Sequence, residues 1–163
     1  MSLTVMGWLF TIGVLMHNAE EAMFLPRWSS RAGWFHRPVT AEVFRIAVIM
    51  LSAIFVVITA AASLSRAASP ASYLMGGYVL AMVLNVLFPH VCASVLVRKY
   101  MPGTATALLL NLPLGVMYLH RALAVGSVTR PTFYWAGPAV VLATMALLPG
   151  LFAVGRKLHV ASR

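Results

Sequence analysis

The residues with the most chemical potential fall in three short stretches. His17-Asn18-Ala19-Glu20-Glu21 interrupts an otherwise apolar run. His17 to Glu20 is an i to i+3 spacing and His17 to Glu21 is i to i+4, so on a helix the three side chains share one face. Gly13, one turn earlier, is expected to leave space beside the imidazole. In a later apolar run Asn85 and His90 bracket Pro89, and in the next Asn111 precedes Pro113. Proline cannot donate to the carbonyl four residues back, so Pro89 frees the Asn85 carbonyl and should kink its helix. On an ideal helix Asn85 and His90 stand about 140° apart. Both can face one site only if the kink reorients one of them, or if the helix is buried on most sides.

Three chemistries suit this set. Two imidazoles and two carboxylates (His17, His90, Glu20 and Glu21) are ligands for one divalent metal such as zinc, iron or manganese. The dication would neutralise both acids, and a vacant position could activate water or oxygen on a lipophilic substrate. Without a metal, a buried glutamate with a raised pKa is a general acid and a histidine or the second glutamate a base, suited to isomerising or cyclising a hydrophobic substrate. In the third reading the glutamates reach interfacial water or pair with Arg27, Arg45, Arg98 or Lys99, and the histidines are packing or transport residues. In the first two readings His17, Glu20, Glu21 and His90 carry the chemistry, and Asn85 and Asn111 orient or bind substrate.

The elements that must position these residues follow from composition. Of the 163 residues 61% are hydrophobic and only 9% charged, and the mean hydropathy is +0.90. Soluble domains are about 45–50% apolar and 25% charged, so a soluble monomer is close to excluded, and the apolar content excludes a disordered chain. Five stretches reach the roughly 20 apolar residues that a spanning helix needs: about 3–25, 41–64, 73–97, 104–125 and 133–154. Helix breakers separate them: Pro26 and Pro38, Ser69-Pro70, Pro102-Gly103 and Arg130-Pro131. The first run lacks the basic start of a cleaved signal peptide and is read as a permanent helix. A carboxylate at mid-membrane costs about 2.5–3.5 kcal/mol on insertion scales, so Glu20 and Glu21 there require a partner, a proton or water.

The net charge of +9 does not indicate nucleic acid, because the basic residues lie between apolar runs rather than on one soluble patch. Arg27, Arg31, Arg37, Arg45, Arg98, Lys99, Arg156, Lys157 and Arg163 fall on one side; Arg66, Arg121 and Arg130 fall on the other. The richer side is expected to be cytoplasmic, which puts the N-terminus outside and the C-terminus inside. His17, His90 and Asn111 then lie seven or eight residues from the cytoplasmic ends of their spans, roughly 10–12 Å deep, with the glutamates one turn shallower. The loop from Pro26 to Pro38, with Trp28, Trp34 and Phe35 among arginines, reads as interfacial or as a lid. Glu42 reads as a helix-start carboxylate. His36, His120 and His159 do not share the site's depth, and the single Cys92 precludes an internal disulfide. No Ser/His/Asp arrangement, phosphate loop or CxxC occurs.

The HxxEE run in the first span, the later Asn85 and His90, and Tyr100-Met101-Pro102-Gly103-Thr104 together resemble the HXXEE family of small bacterial membrane proteins, which lacks an established general activity. The resemblance spans the chain and implies that His17, Glu20, Glu21, Asn85 and His90 act together in a bacterial cytoplasmic membrane. Sterol isomerases of the emopamil-binding type are also similar in size, span count and intramembrane His/Glu use, a likeness of fold alone. The expectation is an all-α polytopic membrane protein. A single domain over 1–163 is expected to form a five-helix transmembrane bundle, with lipids, a lipophilic small molecule and a second copy of the chain as candidate partners; for transport, five spans leave little room for alternating access without an oligomer. It is read as a metal-binding enzyme. The alternatives are metal-free acid–base catalysis, and a transport or structural role.

Overall fold

A computed structural model describes residues 1–32 and 38–161, and among these the chain is helical with short connections and no strand. The helices are α1 (Leu3–Ser29), α2 (Ala41–Leu64), α3 (Pro70–Asn85), α4 (Cys92–Leu96), α5 (Thr104–Thr106), α6 (Leu112–Ala124) and α7 (Arg130–Ala161). Wide π-helical turns over Val86–Val91 and Ala107–Asn111 splice α3 to α4 and α5 to α6, so the seven helices make five columns. Trp34, Phe35, His36 and Arg37, on which the lid reading of the Pro26–Pro38 loop rests, lie outside the described residues, as does Arg163.

Among the described residues four columns are long and apolar enough to cross a membrane: Ala41–Leu64, Pro70–Leu96, Thr104–Ala124 and Arg130–Ala161. That is the character of an integral membrane protein. The α1 helix, with 27 residues, is long enough, but His17, Asn18, Glu20 and Glu21 lower its hydropathy.

Proline acts differently from expectation at several boundaries. Pro70 and Pro131 lie in first turns rather than in loops, where a missing N–H is no loss. Ser69 caps α3 by accepting from Ser72 N at 3.2 Å. Pro26 does not end the first helix, which continues through it to Ser29. It leaves the Ala22 carbonyl without its helical donor, and Arg45 Nε of α2 donates to that oxygen at 3.2 Å. The break at Pro89 is as expected: Phe88 leaves helical geometry (φ −133°, ψ 118°) inside the wide turn.

Packing is closest in one half of the bundle. Met6, Phe10 and Val14 of α1 meet Phe55 of α2, Met75, Tyr78, Val79 and Met82 of α3, and Tyr118 and Ala122 of α6. The Tyr78 ring stacks on Phe55 (centroids 4.0 Å apart) and meets Phe10 edge-on at 5.5 Å. At Gly77 a Cβ would stand 2.4 Å from Val140 Cβ, so only glycine lets α3 and α7 approach this closely. In the other half a smaller core of Leu25, Phe44, Ala93 and Met101 lies under the polar residues.

Candidate metal centre

His17 is buried in α1, and His90 is fully buried on the wide turn after α3. Their rings meet edge-on with centroids 4.7 Å apart. Glu21 Oε1 lies 3.4 Å from His90 Nε2 and 3.9 Å from His17 Nε2. One donor atom from each of the three residues falls within 4.8 Å of the others. Ligand atoms bound tetrahedrally at 2.0–2.1 Å lie about 3.3–3.4 Å apart, so the Glu21–His90 pair already has that spacing and the widest pair would close by at most about 1.5 Å to hold an ion. The kink solves the angular problem posed by Asn85 and His90. With the wide turn between them, the Asn85 amide comes within 3.5 Å of His17 Nε2 while His90 faces Glu21.

The tautomer of His17 is set from behind. Its Nδ1 lies 3.1 Å from the Gly103 carbonyl oxygen, which can only accept, so Nδ1 carries the proton and Nε2 presents a lone pair to the cluster. This backbone contact is the usual outer support of a metal-binding imidazole. Among the described residues neither ring nitrogen of His90 makes a hydrogen bond of good geometry; the Pro102 backbone and Glu21 Oε1 lie near the ring without it. A buried imidazole is ordinarily satisfied, and a ring this weakly held beside a carboxylate suits a ligand position.

Glu20 is turned elsewhere. Its Oε1 accepts from Gly103 N at 2.9 Å and from the Tyr100 hydroxyl, and its Oε2 accepts from the Thr106 hydroxyl at 2.7 Å. These bonds hold Met101, Pro102, Gly103 and Thr104, all buried, against α1. A buried loop must account for each backbone polar group, and here Ser94 Oγ accepts from Met101 N while the Met101 carbonyl accepts from Thr104 N and Thr104 Oγ1. Burial and the adjacent carboxylate push the Tyr100 phenol above its ordinary pKa, which keeps it a donor at neutral pH. Gly103 closes the site. Its φ is +91°, and a Cβ there would stand 2.7 Å from His90 Cε1, 2.8 Å from His17 Cε1 and 3.0 Å from Glu21 Cγ.

A family model described as "Protein of unknown function with HXXEE motif" matches residues 8–118, a stretch that contains the cluster and the Glu20 contacts. The chain belongs to the HXXEE family. It is 32% identical over 148 residues to the uncharacterized protein YrkK of Bacillus subtilis (strain 168), across 91% of this chain and 94% of that protein. No solved structure matches it.

Within the HXXEE motif the two glutamates therefore divide their work: Glu21 joins the imidazoles, and Glu20, expected beside it as a ligand, fastens the loop. Adjacent positions on a helix diverge by about 100°, enough to separate them. Asn111 is fully buried on the second wide turn. It lies beside Gly13, one turn along α1 from His17: a Cβ on Gly13 would be 3.5 Å from Asn111 Oδ1 and 3.3 Å from Leu110 Cβ. Gly13 thus admits the fourth column rather than freeing space for an imidazole. Thr106 instead reaches His17, with Oγ1 3.2 Å from Nδ1.

Other members of the HXXEE site carried weaker sequence signals. Asn18, inside the motif, donates to Ser52 Oγ at 2.9 Å and ties α1 to α2. Tyr100, Gly103 and Thr106 follow a Pro-Gly pair that reads as a turn; nothing in that pattern indicates that the turn is buried.

Proposed function

We propose that this HXXEE protein is a small five-span integral membrane enzyme of the bacterial cytoplasmic membrane. It binds one divalent metal through His17, Glu21 and His90 and acts on a lipophilic substrate. The observation that carries the metal reading is the convergence of His17, Glu21 and His90, with His90 fully buried, without a well-formed hydrogen bond among the described residues, and Nε2 3.4 Å from Glu21. Two imidazoles and one carboxylate form the donor set of open catalytic zinc and non-haem iron sites. A metal held there would supply Lewis acidity at a free coordination position. The chain's own residues do the rest: Gly103 orients His17, Glu20 holds Gly103, and Asn85 offers an amide beside His17 Nε2 to position a substrate group. The bundle is taken as one transmembrane unit with α1 as the fifth span, N-terminus outside. Support for that orientation comes from Arg27, Lys99, Arg156 and Lys157, which follow or end the columns α1, α3–α4 and α7.

The contact between Glu21 and His90 also favours a second reading, proton transfer between them without metal. Elemental analysis and zinc, iron and manganese titration of detergent-purified protein separate the two. About one equivalent of metal is expected, with affinity at least tenfold weaker in His90→Ala and Glu21→Gln. No binding, or binding indifferent to both substitutions, would overturn the metal site and leave the acid–base reading.

A further inference from the structure

A second feature lies on the other side of the Pro102-Gly103 wall. A groove of about 540 Å³ is lined by Arg27, Arg31 and Lys99, by the apolar Phe24 and Val97, and by Pro102. We infer that this groove binds the phosphate-bearing head of an anionic phospholipid from the surrounding leaflet.

Charge is the first argument. Arg27, Arg31 and Lys99 converge on the groove, and none makes an ion pair among the described residues. The one acid in the lining is Glu20, and both its oxygens already accept internal hydrogen bonds, so the groove presents net positive charge. Guanidinium groups match phosphate oxygens in bidentate geometry. The walls supply the second argument, because Phe24, Val97 and Pro102 are apolar and Phe24 is 55% exposed, a surface for the first methylenes of acyl chains. Position is the third. Arg27 lies in the last turn of α1 and Lys99 three residues beyond α4, where spanning helices meet headgroups and where Trp and Tyr concentrate. The inference is independent of the metal. Pro102 lines the groove and the next residue, Gly103, abuts both imidazoles, so a single stretch of loop separates an occupant from the cluster.

Native mass spectrometry of the protein released from micelles tests this. The probes are phosphatidylglycerol and phosphatidylcholine of identical acyl chains, with sodium phosphate titrated separately. The wild-type chain is expected to retain phosphatidylglycerol in preference to phosphatidylcholine. R27Q/R31Q should cut that preference by roughly tenfold or more, whereas R156Q/K157Q, which removes the same charge elsewhere, should leave it unchanged. K99Q supplies a second lesion should the double variant lose its wild-type melting behaviour. Equal retention of the two lipids, or equal losses in both double variants, would overturn the proposal. Displacement of the lipid by millimolar inorganic phosphate would assign the groove to a free anion instead.

Discussion

Two layers of this bundle are built on the same motif and differ in nearly every consequence. In one, α1 and α3 bring Phe10 and Tyr78 together edge-on at 5.5 Å; in the other, α1 and the turn after α3 bring His17 and His90 together edge-on at 4.7 Å. The aromatic pair sits on uninterrupted helices and is enclosed by apolar side chains. The imidazole pair needs a wide turn at Val86–Val91, a second at Ala107–Asn111, and a buried loop with a left-handed glycine. Regular helix packing suffices to place rings against rings. Bringing donor atoms from three distant stretches to one point required breaking helices, and the prolines at 89, 102 and 113 provide the breaks.

The contrast can be tested first where the largest loss is expected. Phe10→Ala should lower stability by about 3 kcal/mol through the cavity it leaves, measured by thermal unfolding in detergent, while metal stoichiometry stays at the wild-type value. Loss of metal in this variant would mean that the layers are not separable. Gly103→Ala should do the reverse. A destabilisation of about 2 kcal/mol, from backbone strain and the contacts at His17 and His90, should come with loss of metal binding. Gly126 makes the control: its φ is +71° with nothing within 4 Å of a Cβ, so Gly126→Ala isolates the backbone contribution, about 1 kcal/mol, and should retain metal. The smallest effect is expected at Asn111, fully buried with no partner for either amide atom among the described residues. Asn111→Leu should change the melting temperature little or raise it. A marked fall would show that the amide has a partner in solution, such as a bound water or a substrate group.

The columns were legible in the sequence because apolar runs and their breakers record membrane thickness directly. The Ala41–Leu64 helix matches its run to the residue. Helix ends were legible only where proline has one meaning: Pro89 broke its helix, but Pro26 did not, because Arg45 from another helix satisfies the carbonyl that Pro26 leaves free. For the site, His17, Glu21 and His90 stood out because polar groups in apolar runs must be compensated. What could not be read was direction. Glu20 and Glu21 have the same chemistry and adjacent positions, and only the placement of the 101–104 loop decides which faces the imidazoles. The role of Gly103 was hidden for the same reason: a Pro-Gly turn looks alike whether it lies in water or against two histidines.

The sequence separation of the Glu20 contacts has a consequence for biogenesis. Gly103 and Thr106 lie 83 and 86 residues after the carboxylate they bind. At about 5–20 residues per second, a ribosome needs roughly 4–17 seconds to supply them. Under the five-span reading, α1 must wait that long in the insertion machinery or the bilayer with two acids and an imidazole uncompensated. A nascent chain that stops short of Thr106 carries an α1 whose Glu20 lacks the Gly103 and Thr106 donors of the finished protein.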